Sequence, residues 1–158
     1  MSMKTTVDAW NVELLKALVA MEGSNNLPFF NKAEKGRLRF VDDFPCVFYW
    51  YEGNIPMGGT YLDGDLIKLP VTVGGFDYSL EDLNNYELAE TRSEEIAYAL
   101  RDELGKWEHR NLSGTIAELQ VTDVFIDPGI APFMFESSGL MAAGGVELLV
   151  TWRQPRGS

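Results

Sequence analysis

The chain has 158 residues, 46% of them hydrophobic, and its 24 acidic and 13 basic side chains leave a net charge of −11. That length fits one domain, 1–158, whose core needs no metal or disulfide, and a single cysteine excludes an internal bridge. The negative charge argues against tight nucleic-acid binding, no run reaches the ~20 apolar residues of a membrane span, and residues 1–6 lack the apolar core of a signal peptide.

The first predicted element is a helix over 6–21. Thr5 is its N-cap, with Asp8 three residues on as a weak capping box. Val7, Trp10, Leu14, Leu18 and Met21 recur at spacings of three and four and form one apolar stripe. Gly23 stops the helix, residues 23–36 read as a loop, and a short strand runs through 38–41. Residues 46–51 are apolar at nearly every position, which predicts a central strand covered on both faces. Cys46 within it reads as a small core residue, because no cationic neighbour in sequence lowers its pKa.

Residues 52–64 are rich in Gly, Pro and Asn and read as a loop. A strand over 65–73 alternates, with Ile67, Leu69, Val71 and Val73 on one side. Pro70 cannot donate to a ladder, so this strand is expected at an edge or a bulge, ended by Gly74-Gly75. A short helical piece can begin at Ser79. The main second helix spans 92–104, capped by the box Thr91-Arg92-Ser93-Glu94 and closed by Gly105. Ile96, Ala97, Leu100 and Leu104 form its apolar face, while Arg92, Glu95, Arg101 and Asp102 lie towards water.

Two strands finish the chain, 115–126 and 145–153, and antiparallel pairing is their simplest arrangement. Ile116, Leu119, Val121, Val124 and Ile126 are core candidates in the first; the parity shift predicts a bulge near Thr122. The whole is an α+β, two-layer domain. A mostly antiparallel or mixed sheet of four to five strands carries two main helices on one face.

No local pattern carries chemistry. His109 would need an oriented nucleophile or carboxylate to act as a base, no local pattern supplies one, and it reads as a surface or loop residue. Asp42-Asp43, Asp63-Gly64-Asp65 and Asp123 with Asp127 are carboxylate groupings, but Asp63–Asp65 is too short for a calcium loop and reads as a turn. A glycosidase-type carboxylate pair would assemble only in space. Gly74-Gly75 and Gly144-Gly145 read as turn or bulge glycines, not phosphate cradles, and Ser137-Ser138-Gly139 lacks the Gly-x-Ser-x-Gly elbow. No catalytic residue, cofactor or metal is expected.

The most unusual segment is 127–144, a long loop carrying Ile130, Phe133, Met134, Phe135, Leu140 and Met141. Such groups either fold back over the core or meet another chain. Phe29, Phe30, Ile55 and Met57 add smaller apolar tips, and together these ten residues are the candidate subunit contacts of a homo-oligomer.

The order of elements resembles bacteriophage tail terminator and tail-completion (minor tail) proteins. The resemblance rests on the helix 7–21, on Asp43-Phe44-Pro45-Cys46-Val47-Phe48-Tyr49 entering an apolar strand, on the helix 91–104, and on the closing strand 145–152. It implies a non-enzymatic α+β subunit that assembles as a homo-oligomeric ring, with a hexamer as one option, at the end of a phage tail tube or against connector proteins. The location implied is the virion tail, assembled in the host bacterial cytoplasm. Carboxylates lining such a ring, from among Asp42, Asp43, Asp63, Asp65, Glu81, Asp82 and Glu87, would let DNA pass without adhering. Two other classes compete. One is an acidic immunity- or inhibitor-type protein that captures a basic partner by electrostatic steering; the other is a small enzyme using a carboxylate pair or His109.

Overall fold

The computed structural model describes residues 1–37, 43–53, 55, 57–61, 64–78, 86–130 and 140–155. Helix α1 runs Met3–Val19, three residues earlier than the Thr5 cap predicts. Ser2 is the cap: its Oγ accepts from the Thr5 amide at 3.1 Å, which satisfies an amide that the helix itself leaves unpaired. Trp10, Leu14 and Leu18 of the predicted stripe are fully buried. Asn11 ties the helix to the sheet, its Nδ2 donating to the Tyr51 hydroxyl at 2.8 Å and its Oδ1 accepting from the Tyr49 hydroxyl at 2.7 Å.

Strands β1 (Lys32–Lys35), β2 (Cys46–Tyr51), β3 (Met57–Tyr61), β4 (Gly64–Tyr78), β5 (Glu118–Ile126), β6 (Gly129–Ile130) and β7 (Leu140–Gln154) make one mixed sheet. Its main order is β1-β2-β4-β7-β5, with β3 paired to the start of β4 and β6 to the start of β7. Among the described strands only β1 and β2 run parallel. β1 and β3 fall where loops are expected, and the expected strand 38–41 lies outside the described residues.

The long loop 127–144 is corrected at both ends: β6 and the first five residues of β7 belong to the sheet, and residues 131–139 lie outside the described residues. The final pair, β5 and β7, is antiparallel, and its register slips between Val121 and Asp123, which leaves Thr122 as the bulge. Past that bulge Val124 and Ile126 are exposed, not core. The extra residue re-aims the side chains that follow it.

Strand β4 corrects the edge reading. It lies in the middle of the sheet, between β2 and β7, and continues through Gly74-Gly75 to Tyr78. Pro70 is tolerated because β3 pairs only up to Ile67 and β2 only from Val71, so Pro70 stands in the gap between two partners.

Helix α2 spans Tyr86–Leu104, so Thr91 lies inside it and the Thr91–Glu94 pattern is not its start. The preceding turn is helix-compatible and buries Ala89 against the fold, which extends the helix backwards. Ser79–Asp82 lies outside the described residues. Arg92 does not lie in water: half-buried, it donates to Asp77 at 2.8 Å and to Glu95 at 3.0 Å.

Both helices pack on one face, where Trp10, Leu14 and Leu18 share a core with Ile96, Leu100, Val73, Val146 and Leu148. The close approach of α2 depends on bare backbone below it. Gly75 pairs with Gly144 beneath the helix, while the neighbouring pair Gly74 and Gly145 faces the other side, towards Trp50, Phe76 and Phe125. A Cβ at Gly144 would overlap the Ser93 carbonyl oxygen, and one at Gly75 would overlap Ile96. Ser93 fastens the contact: its Oγ donates to the Ala89 carbonyl at 2.7 Å and accepts from the Ala143 amide at 3.0 Å. On the opposite face Cys46 and Phe48 are buried with Phe44, Trp50 and Phe76 against them. Burial, with Asp77 nearby, pushes the Cys46 thiol up to about 12, so this sulfur is an unreactive core group at neutral pH.

Candidate interaction surface

A trough runs along the outer side of β5. One part, about 690 Å³, lies between Arg101, Asp102 and Gly105 at the end of α2 and residues 119–124 of the strand. It continues past Gly105 and Leu119 into a depression of about 420 Å³ beside Trp107, Arg110 and Glu118. Gly105 ends α2, with its amide on the Arg101 carbonyl at 2.9 Å, and a 3-10 turn, Trp107–His109, follows at once. That abrupt stop leaves Trp107 outside the core, 77% exposed. Arg110 lies 4.3 Å from its ring centroid and donates to the Trp107 carbonyl at 3.0 Å, which holds the pair in one arrangement.

The Leu119 amide donates to the Arg110 carbonyl at 2.7 Å and joins this turn to the start of β5. Three cations, Arg101, Lys106 and Arg110, line the trough with three carboxylates, Asp102, Glu118 and Asp123. On a chain of net charge −11, this surface is locally neutral. Like-charge repulsion between copies is weakest there. Trp and Arg are also the residue types that most often anchor protein contacts.

His109 closes the 3-10 turn that begins at Trp107. Its Nε2 is 2.7 Å from Glu103 and 3.8 Å from Glu108, and Lys106 reaches Glu103 at 3.1 Å. These are the metal-ligand types that come together among the described residues. Here the histidine ring and the lysine already occupy the Glu103 oxygens, and the cluster acts as a clasp between α2 and the 3-10 turn. Burial works against the Glu103 charge, but the hydrogen bonds and charges of His109 and Lys106 outweigh it and hold the carboxyl below its ordinary 4.5.

A carboxyl lowered by folding stabilises the fold above its unfolded value and loses that contribution as the pH falls through its folded one. Relative to Glu103→Gln, the wild type is therefore expected to lose stability as the pH drops below the ordinary 4.5. The loss should be at most about 1 kcal/mol for so partly exposed a pair. Urea unfolding at a series of acidic pH values checks this; a difference that does not vary with pH contradicts it.

The candidate contact residues divide. Phe30 and Met141 are buried, at 5% and 7% exposure, and belong to the chain's own fold rather than to a surface. Phe29 packs partly buried against Phe30, with ring centroids 4.8 Å apart, because Arg92 closes over it. Ile55 packs against the core, and Leu140 is half-buried in β7. Met57 falls in β3 and Ile130 in β6. Phe133, Met134 and Phe135 lie outside the described residues, as do Asp42, Asp63, Glu81 and Asp82. No periodicity in the sequence singles out Trp107 or Arg110. The signal was there: a lone tryptophan in the charged run Lys106-Trp107-Glu108-His109-Arg110 has no apolar stripe to join.

The class these features define is an α+β domain, a mixed sheet with two helices on one face. No protein-family model matches the chain, and no curated protein matches it.

Proposed function

We propose that this chain is a non-enzymatic assembly subunit of a phage or prophage tail. It forms a ring that terminates or completes the tail tube, in a virion assembled in the bacterial cytoplasm. The observation that carries the reading is the Trp107–Arg110 pair, presented to solvent in a charge-balanced trough on an otherwise acidic chain. A surface of that kind favours contact between copies where the remaining surface opposes it. The acidity itself supports a ring through which DNA passes without adhering. The order of elements described above supports the tail reading.

The test is the mass of the purified chain as its concentration rises. A ring subunit shows discrete multiples of 17.7 kDa. The net charge of −11 also favours a second reading, an acidic inhibitor-type protein. That protein stays monomeric and binds one cationic partner tightly, with strong salt dependence.

A further inference from the structure

The two edges of the sheet carry opposite charge. Among the described residues β1 pairs only with β2, and β5 only with β7. The β1 edge and the two residues after it hold Lys32, Lys35 and Arg37 against Glu34, whereas β5 holds Glu118 and Asp123 and no cation. A net positive stretch of this kind is contrary to a chain of −11. Its cations are also held in place, Lys35 at 4.5 Å from the Tyr51 ring centroid and Arg37 at 5.9 Å from that of Trp50.

Within the β1 edge Lys32 pairs with Glu34 at 3.5 Å, and Arg37 reaches Glu52 at 3.7 Å.

We infer that the β1 edge of one copy, with Lys32, Lys35 and Arg37, seats in the charge-balanced trough of the next and meets Glu118 and Asp123 of β5 there, so that copies associate head to tail. This inference rests on the reading of the chain as a self-assembling subunit and supplies its interface. The two edges stand at opposite ends of the strand order. The contact is therefore heterologous, and it propagates into a closed ring or an open filament instead of stopping at a two-fold dimer. The Thr122 bulge and the Leu119–Arg110 hydrogen bond interrupt the outer ladder of β5. They guard it against indiscriminate strand addition and leave recognition to side chains in the trough. Such a contact weakens as salt rises.

Charge exchange tests this directly. Lys32→Glu with Lys35→Glu gives a chain with two acidic edges; Glu118→Lys with Asp123→Lys gives one with two basic edges. Each variant alone should associate at least about tenfold more weakly than wild type. Each should still unfold in one cooperative transition, since Lys35, Glu118 and Asp123 are exposed and Lys32 is part-exposed. An equimolar mixture should recover the assembly, because every acidic edge then meets a basic one.

Milder substitutions, Lys35→Gln and Asp123→Asn, should each weaken association in the same direction and serve if a double variant misfolds. Undiminished assembly of either single variant, or a mixture that stays monomeric, overturns this interface while assembly of the wild type leaves the subunit reading intact. A wild type that is itself monomeric at all concentrations removes both.

Discussion

Gly144→Val should lower stability by about 3 kcal/mol or more and the melting temperature by roughly 6–12 °C. The direction follows from what lies over Gly144. An added Cβ would overlap the Ser93 carbonyl oxygen and stand 3.1 Å from Ala97 Cβ. Neither is the far end of a flexible side chain: one is helix backbone and the other has no rotamer to change. Helix α2 would have to lift off β7, and lifting it breaks the hydrogen bond from the Ala143 amide to Ser93 Oγ. A buried amide left without a partner adds a further penalty of about 1–3 kcal/mol. Gly129→Ala is the control, because nothing lies within 4 Å of the position its Cβ would take. Thermal melts of the two variants decide the matter, and equal shifts would contradict the close approach of helix and sheet.

Trp152→Ala should cost about 3–5 kcal/mol, the range for truncating a large buried aromatic. Trp152 is 2% exposed on β7, opposite Ile67 of β4, and its ring centroid lies 5.9 Å from that of Trp10 on α1. It therefore joins the sheet to the helix furthest from it in sequence. Its indole nitrogen donates to Gln154 at 3.3 Å. Removing the ring leaves a cavity walled by both layers, which rigid neighbours refill only in part. Urea unfolding should show a lower midpoint with an unchanged slope. Trp152→Phe should lose markedly less, and equal losses for the two would mean that ring volume is not what matters here.

What was legible in the chain was legible through periodicity. The stripe Trp10, Leu14, Leu18 and the alternation Ile67, Leu69, Val71, Val73 both name residues that are buried. Even the Thr122 bulge showed as a change of parity. Elements whose existence is decided by a partner left no such trace. β1 reads Lys-Ala-Glu-Lys and β3 reads Met-Gly-Gly-Thr-Tyr, and neither alternates. They are strands because β2 and β4 offer them hydrogen bonds.

The glycine pairs misled for a related reason. Glycine within a strand usually marks a turn, a bulge or a close approach, and only the position of α2 distinguishes the last of these. Thr91-Arg92-Ser93-Glu94 has the form of a cap, yet burial of Ala89 carries the helix past it. The apolar segments that suggested subunit contacts proved in part to be core, as Phe30 and Met141 are. The exposed pair Trp107 and Arg110 sat in a charged run where no period points.

Copies of this chain are expected to bind one another. Sedimentation equilibrium over a range of concentrations, at low and at high salt, tests it most directly. The predicted result is a population of discrete multiples of 17.7 kDa that grows with concentration and shrinks as salt screens the edge charges. A single 17.7 kDa species at every concentration and every salt would contradict it.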